Sequence, residues 1–526
     1  MTATVGPLTR RTARLLALAA FLVFALTGGG RIGASDEVTM FDLSRAMLHG
    51  HIDVPVGATL QGPDGRQYTK NTAGQAVLAL PLVGAAEFAA HAAGFRDEKA
   101  VLAARFVTSF FNAAVTALLL AAAYAFARRL GVKPRAALAA AAMLGFTTPV
   151  WVYAKSFMAE PLEALGLLLV LGNAALASAG GTRALPDERR RLLFCALGAF
   201  LAFGVKASML PLVLLAMTAL GLQRPSRWLV PLAGVALAGA GHVAYNVARF
   251  GNALESGYGA QATPEAFSTP LPVGLYGLLL SSGKGVLWFA PAILLAVAGV
   301  AEMTRPRAHS SEPRHGGPAR NAAIAAGLTW AAALAQFGTF QHWAGDGSWG
   351  PRYLVPLLPL AFLPVAFAID SATRVRRRIA WALAACGLVV TLGGVGVYYG
   401  AEMRAVGDYP YTLALDDPRF MEASHFNPRF TPIAVHWRML AADLAAHARG
   451  DMPRIGQAGA ADARTGVSPA DQQQLVNAID VWWLYARYAG LPALPLAAAA
   501  LALLAGALAA AAAARRSAAA EEAARA

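Results

Sequence analysis

Two adjacent carboxylates, Asp36 and Glu37, follow within a few residues of an apolar run that closes at Gly30. Behind them comes a polar series: Asp42, Arg45, Asp53, Arg66, Tyr68 and Lys70. Acidic groups held at a bilayer surface are costly unless they pair or work. Neighbouring side chains diverge on an extended chain and sit about 100° apart on a helix, so these two are not a facing pair of the glycosidase kind. One can point into a cavity while the other caps the helix expected to begin near Val38, since acids are favoured at a helix N-terminus. A carboxylate so placed suits a general base that takes the proton of a hydroxyl. The alternative is that Ser35-Asp36 only caps a surface helix.

Five cations fall at what the charge pattern makes the outer ends of apolar spans: Lys70, Lys155, Arg249, Lys284 and Arg352. Lys and Arg are scarcer on that side of a membrane protein. Converging on one cavity they would hold a phosphate, Arg as a bidentate fork and Lys as a point charge. Singly, each could instead snorkel or pair with a nearby acid, as Lys155 with Glu160. Glycine flanks Lys284 on both sides, which suits close backbone approach to a ligand. Trp343 and Trp349 bracket Asp346 in a Gly-rich loop and read either as interfacial anchors or as a sugar-stacking platform. Tyr68, Asn246, Glu255 and Tyr258 are further polar candidates, and His242 on an apolar stretch reads as a helix-packing residue. Cys195 and Cys386 both lie in apolar runs, and no metal-type Cys/His spacing occurs. Neither a metal nor a cofactor is indicated.

The elements that must position these groups are membrane helices. The 526 residues are 57% apolar and 14% charged, with apolar runs of about 20 residues, enough to cross a bilayer. Twelve spans fit, at about residues 13–30, 101–127, 134–152, 159–178, 190–206, 207–222, 227–247, 283–303, 320–341, 353–370, 378–399 and 487–514. The net charge of +14 collects in alternate loops, such as those with Arg128-Arg129, Arg189–Arg191 and Arg376–Arg378. That is the positive-inside pattern rather than a nucleic-acid face, and it puts both termini in the cytoplasm. The first span reads as an uncleaved anchor rather than a signal peptide, because the polar motif begins so close behind it. Residues 73–95 are long enough to cross but would invert every later basic cluster; with Glu87 and His91 they read as an interfacial helix on the outer surface. The expected organisation is a transmembrane core at 1–399 with a first outer loop at 31–100, a small outer cap at 400–486, and a last span and tail at 487–526. Residues 248–284 read as a polar connection.

A carboxylate base, phosphate-binding cations and aromatics beside lipid fit a lipid-phosphate-linked sugar donor. The order of motifs then resembles the GT-C superfamily of polytopic glycosyltransferases, in the dolichyl-phosphate-mannose/aminoarabinose-transferase-like branch. The residues carrying the likeness are Ser35-Asp36-Glu37; Tyr68 through Lys70 to Gly74; Tyr153-Ala154-Lys155 through Glu160-Pro161; Tyr245-Asn246; and Phe250 through Glu255 to Tyr258. Ser281-Ser282-Gly283-Lys284 and Ser348-Trp349-Gly350-Pro351-Arg352-Tyr353 complete it, over about residues 10–370. The resemblance implies an all-α polytopic fold with interfacial helices in the first outer loop, and a base at Asp36 or Glu37. It also implies a polyprenyl-phosphate sugar donor, transfer at the outer face of the bacterial inner membrane, and a lipid, glycan or protein acceptor. In place of a Trp-Trp-Asp-Tyr-Gly block the chain has Trp482-Trp483-Leu484-Tyr485, which speaks for a monosaccharide donor rather than an oligosaccharyltransferase. A flippase or transporter of a lipid-linked saccharide is the rival reading, and would need polar residues midway through several spans; Lys206 and Arg105 are the exceptions that qualify. A non-enzymatic assembly factor is the third.

Overall fold

The computed structural model describes residues 6–54, 59–178, 186–221, 225–305, 317–345, 347–404, 413, 417–456 and 468–524. They form a mostly helical, polytopic membrane protein. Among them eight helices are long and apolar enough to cross a bilayer, and four shorter apolar helices accompany these.

α1 (Pro7–Thr27) opens on proline, whose missing N–H costs nothing in a first turn, and stops at Gly28-Gly29-Gly30. Gly30 has φ +66°, and a Cβ there would meet the Trp482 side chain and the Phe106 ring, so this exit turn requires glycine. α2 (Ser35–Leu48) follows at once. Next comes an antiparallel pair, β1 (Thr59–Gln61) and β2 (Gln67–Thr69), with Leu60 opposite Tyr68. This corrects the all-α expectation: Gly62-Pro63-Asp64-Gly65 supplies turn chemistry and closes the hairpin through Gly62 N–H to the Arg66 carbonyl at 2.8 Å. α3 (Gly74–Ala92) and α4 (Asp97–Thr108) complete a platform with α2. Arg45 pairs with Glu87 across α2 and α3, and Arg105 stands 3.6 Å from Asp42 across α2 and α4. By length and composition α3 is itself one of the eight helices that could cross.

The bundle continues through α5 (Phe111–Arg129), α6 (Pro134–Phe146), α7 (Val150–Ala154), α8 (Glu160–Ala177) and α9 (Pro186–Val205). After it come α10 (Leu210–Met217), α11 (Leu229–Phe250), α12 (Leu271–Leu280), α13 (Val286–Phe289), α14 (Leu295–Thr304), α15 (Gly317–Thr339), α16 (Leu358–Asp370) and α17 (Arg374–Gly396). The expected span at 134–152 is split: the Thr147 and Thr148 hydroxyls bond back to the Met143 and Leu144 carbonyls just before Pro149, ending α6 and starting α7. The connection at 248–284 is not polar throughout. It contains apolar α12, whose Gly274 lies so close to the Gly338 carbonyl that a Cβ could not fit, seating α12 on α15. α8 is central, packing on α5, α9, α10, α15 and α16. The described part of the cap is helical: α18 (Tyr399–Arg404), α19 (Pro418–Phe426), α20 (Pro432–Ala448), α21 (Pro469–Gln474) and α22 (Trp482–Tyr488).

α23 (Ala493–Ala523) closes the chain and runs beside α1. Thr12 bonds Ser517 at 2.8 Å, Thr9 bonds Glu521, and Arg128 pairs with the same carboxylate. The ends of α1 and α23 nearest the two termini therefore share one end of the bundle. The opposite end gathers the last turn of α1, the first turns of α2 and α8, the last turn of α9 and the start of α16.

Candidate active site

Asp36 lies in the first turn of α2 and reaches Arg352, Oδ2 to Nη2, at 3.1 Å. Arg352 opens the helical turn that leads into α16, and its Nε bonds Oε1 of Glu160. Glu160 and Glu163 are three residues apart in the first turn of α8, so they share a face at the positive end of the helix dipole. Beside them stands Lys206, half-buried. Its backbone is extended, φ −152° and ψ 120°, because α9 has just ended and a new helical turn starts at Ala207. Its Nζ is 3.5 Å from Glu163 and 4.0 Å from Glu160, and 5.2 Å from the centre of the Tyr353 ring. Lys70, just beyond β2, places its Nζ 5.6 Å from the Tyr258 ring, and its charge acts on Asp36.

Three carboxylates and three cations thus meet where five helix ends converge. Asp36 keeps 24% of its side chain exposed, whereas Glu160 has none. The second oxygen of Glu160 is buried without a hydrogen-bond partner among the described residues. Burial pushes the Asp36 carboxyl up, but Arg352, then Lys70 and Lys206, outweigh it and hold the group below its ordinary range.

Glu37 points elsewhere. Its Oε2 accepts the backbone N–H groups of Gly33 and Ala34 at 3.1 and 2.9 Å, and its Oε1 accepts that of Phe157 at 2.9 Å. It folds back on the start of its own helix and ties the α7–α8 turn to it. Burial raises its carboxyl above the ordinary range in spite of those donors. The two neighbours are therefore pushed in opposite directions.

Of the five cations, Lys70 and Arg352 stand at Asp36 and the other three do not. Lys155 does not pair with Glu160: its buried Nζ donates to the carbonyls of Val395 and Asp480 and pairs with the Asp480 carboxylate at 3.0 Å. Lys284 donates to the Ser348 carbonyl. Arg249 donates to the carbonyls of Thr69 and Tyr245 and to Oδ1 of Asn246, and stacks on Tyr245, tying the end of α11 to β2. Tyr68 donates to Asp64 at 2.6 Å within the hairpin turn, Asn246 Nδ2 to the Ala253 carbonyl, and Glu255 accepts the Gly257 N–H. Tyr258 lies beside the cluster and bonds Asn71 at 3.5 Å. Trp343 and Trp349 are buried, Trp349 edge-on to Phe289 and Trp343 edge-on to His425, and Trp349 also lines a cavity together with Glu37, Tyr153 and Lys155. Asp346 lies outside the described residues. Among those described, no group of three metal-ligating side chains exists.

The chain is similar to ArnT from Cupriavidus metallidurans. Against its apo crystal structure the identity is 15% over 91% of this chain and 77% of that one, with a TM-score of 0.49. Against the structure bound to undecaprenyl phosphate the identity and coverage are the same and the TM-score is 0.48. No family model and no curated protein matches.

Sequence reasoning did not place Lys206, Glu163 or Tyr353 in the site. Glu160 and Glu163 carried a usable signal, two acids at helical spacing opening an apolar run. Lys206 carried only its position between two apolar runs. Asp480 was missed as well, although it organises a second ionic centre, with Lys155, Arg31 at 2.9 Å and the Tyr485 hydroxyl at 2.8 Å.

Proposed function

We propose that this protein is an inverting glycosyltransferase that moves a sugar from a polyprenyl-phosphate donor to an acceptor hydroxyl at the outer face of the bacterial inner membrane. The observation that carries the reading is the Asp36–Arg352 contact at 3.1 Å, a partly exposed base touching a cation, at a convergence of helix ends with Lys206 and Lys70 beside it. A sugar phosphoester departs as a stable phosphate, so cations suffice for the leaving group and no strong acid is needed. Arg352, Lys206 and Lys70 face that phosphate. The bond from the anomeric carbon to the phosphate oxygen breaks with its electron pair going to the phosphate. The acceptor oxygen attacks from the opposite side, and Asp36 takes its proton.

Glu160 and Glu163 hold the two half-buried cations, Arg352 and Lys206, in place before the donor arrives. A donor phosphate then competes for Arg352. As it does, Asp36 loses the partner that most depresses its basicity and becomes a better base once the donor is bound. Glu37 fixes the helix start that presents Asp36. The acceptor is a lipid, a glycan or a protein.

The test is transfer by the purified chain in lipid nanodiscs, with a panel of polyprenyl-phosphate monosaccharides and a cell-envelope extract as acceptor. Asp36→Asn keeps the shape and capping oxygen of the side chain, and Asn caps a helix about as well as Asp. Activity should nonetheless fall at least about a hundredfold. Wild-type transfer by Asp36→Asn would overturn the assignment of the base. Movement of the lipid-linked sugar across vesicles without any transfer would favour a flippase.

A further inference from the structure

Asp480 is a buried carboxylate of the cap, just ahead of α22, and it holds two cations from separate parts of the chain. Arg31 donates to its Oδ1 from both Nε and Nη2, at 3.2 and 2.9 Å. Nζ of Lys155 lies 3.0 Å from its Oδ2 and donates to its backbone carbonyl at 2.6 Å. The Tyr485 hydroxyl donates to Oδ1 at 2.8 Å. We infer that Asp480 is a positioning residue of the active site: it clamps together the two segments that carry Asp36 and Glu160, and so sets the contact between Asp36 and Arg352. The inference rests on the glycosyltransferase reading for the role of Asp36 as the base; the clamp itself is geometry.

The first segment is the link between α1 and α2. Gly28, Gly29, Gly30 and Gly33 give it a backbone freedom that other residue types lack, and the catalytic helix starts directly behind it. The cap removes that freedom. The Trp482 N–H donates to the Gly28 carbonyl at 2.7 Å. Asp480 stands so near Gly29 that a Cβ there would come within 3.0 Å of its Oδ1, and a Cβ on Gly30 would meet that of Trp482 at 2.5 Å. The Arg31 guanidinium lies 3.7 Å from the centre of the Tyr398 ring. At the far end of the link, Glu37 accepts the N–H groups of Gly33 and Ala34. The chain is thus fastened from the cap to the first turn of α2, which presents Asp36.

The second segment is the turn between α7 and α8. Lys155 ends α7, and the turn runs through Phe157 to Glu160, the first residue of α8, which holds Nε of Arg352. Lys155 also donates to the Val395 carbonyl at the end of α17, and the Asp480 N–H to that of Gly396 at 2.8 Å, so the clamp is anchored on a long helix of the bundle. One carboxylate therefore stands behind Asp36 through Arg31 and behind the partner of Arg352 through Lys155. Arg31 and Lys155 act on each other across it; without its charge the two arms repel and part. Catalysis is sensitive to such a shift, since a displacement of about 1 Å caused far from the chemistry can cost about a hundredfold in rate.

The test is Asp480→Asn in the full chain in nanodiscs, which keeps the shape and removes the charge. Hydrogen exchange read by mass spectrometry should quicken at least about tenfold at residues 31–38 and 155–163, as for loss of a charged hydrogen bond, and stay unchanged in α11. Transfer should fall at least about tenfold in kcat/KM, and the acid limb of kcat/KM should move to higher pH. With Arg352 further from Asp36, the cation that most depresses that carboxyl loses its hold, so Asp36 takes up a proton at a higher pH. The acid limb of kcat, read with the donor already on Arg352, should stay in place. A residue that merely holds the fold together would lower the rate and shift neither limb. Arg31→Gln removes one arm at a partly exposed side chain and should reproduce the faster exchange at 31–38 and the shifted limb, which keeps the test decisive if Asp480→Asn does not fold. Exchange needs no substrate, so a chain that shows the local change but transfers no sugar would refute the glycosyltransferase reading and leave the clamp standing. The proposal is overturned if exchange in these segments matches the wild type, if it rises equally throughout the chain, or if the rate falls with the acid limb of kcat/KM unmoved.

Discussion

Adjacent on α2, Asp36 and Glu37 reach different surroundings because a one-residue step on a helix turns the side chain about a quarter of the circle. Asp36 faces the cations and Glu37 the backbone of its own N-terminal turn. That one acid can face a cavity while its neighbour caps the helix was legible in the sequence; which acid does which was not, because it depends on Phe157 and Arg352, distant in the chain. The cations show the same limit. Five outer Lys/Arg side chains are alike in a sequence, yet Lys155, Lys284 and Arg249 are taken up by carbonyls that lie nearby only once the chain is folded. Lys206→Met and Lys70→Met should each weaken binding of a polyprenyl-phosphate donor about tenfold or more, the worth of one charged hydrogen bond, as read by titration in nanodiscs. Arg249→Met should leave donor affinity unchanged and lower thermal stability instead; weakened donor binding there would return it to the phosphate site. A pH profile tests the Arg352 exchange. In the free enzyme Asp36 is held below its ordinary range, so it is ionised and competent until the pH falls beneath that range, and kcat/KM should hold across weakly acidic pH. With the donor on Arg352 the depression is relieved, and kcat, which reports the bound state, should begin to fall at a higher pH than kcat/KM. Coincident acid limbs would mean that Arg352 stays with Asp36 throughout.

At the scale of elements, long apolar runs were readable because a buried backbone must close its own hydrogen bonds, and a helix does so within one segment. Breaks inside runs were less so: Thr147 and Thr148 end α6 through hydroxyl bonds that no hydropathy window registers, and α12, at ten residues, is too short to count as a span. The two-stranded hairpin escaped because three-residue strands carry almost no period. What holds the cap to the bundle was equally invisible, since it joins residues 155 and 480. Lys155 and Asp480 are both buried, and Arg31 stacks on Tyr398 while pairing with the same carboxylate. Burial alone would raise the Asp480 carboxyl, yet Lys155 and Arg31 hold it far below the ordinary range. Removing one member of such a pair leaves a buried charge alone, at about 3–5 kcal/mol. Lys155→Met and Asp480→Leu should each lower the unfolding temperature markedly, and the double substitution less than the sum of the two. Additive losses would show that the pair is not coupled.

For the whole molecule, the arrangement of charge and of helix ends leads to one topological expectation. α1 and α23 lie side by side, and Thr9, Arg128 and Glu521 meet at the end of the bundle opposite Asp36. Chain ends so joined share one side of the membrane, and from the basic residues near them, Arg10, Arg11 and Arg14 with Arg515 and Arg516, we propose that this side is the cytoplasm. On that proposal the Asp36 cluster faces outward, where a lipid-linked donor and an envelope acceptor would meet. A reporter active only outside the cytoplasm should work when fused at about residue 60, 265, 345 or 450, and fail at 185, 312 or 375. A fusion after residue 524 should fail as well, because α23 ends beside the start of α1. The fusion near residue 95 is the most informative. α3 is long and apolar enough to cross, but Arg45–Glu87 ties it to α2. If α3 lies on the outer surface, residues 60 and 95 are on one side and both reporters work. If α3 crosses, the reporter at 95 is silent and every later basic cluster, from Arg128-Arg129 onward, must change sides. A working fusion at 312 would demand that same inversion independently and would take Glu160, Lys206 and Arg352 to the cytoplasmic face, away from the outer-face chemistry proposed for them.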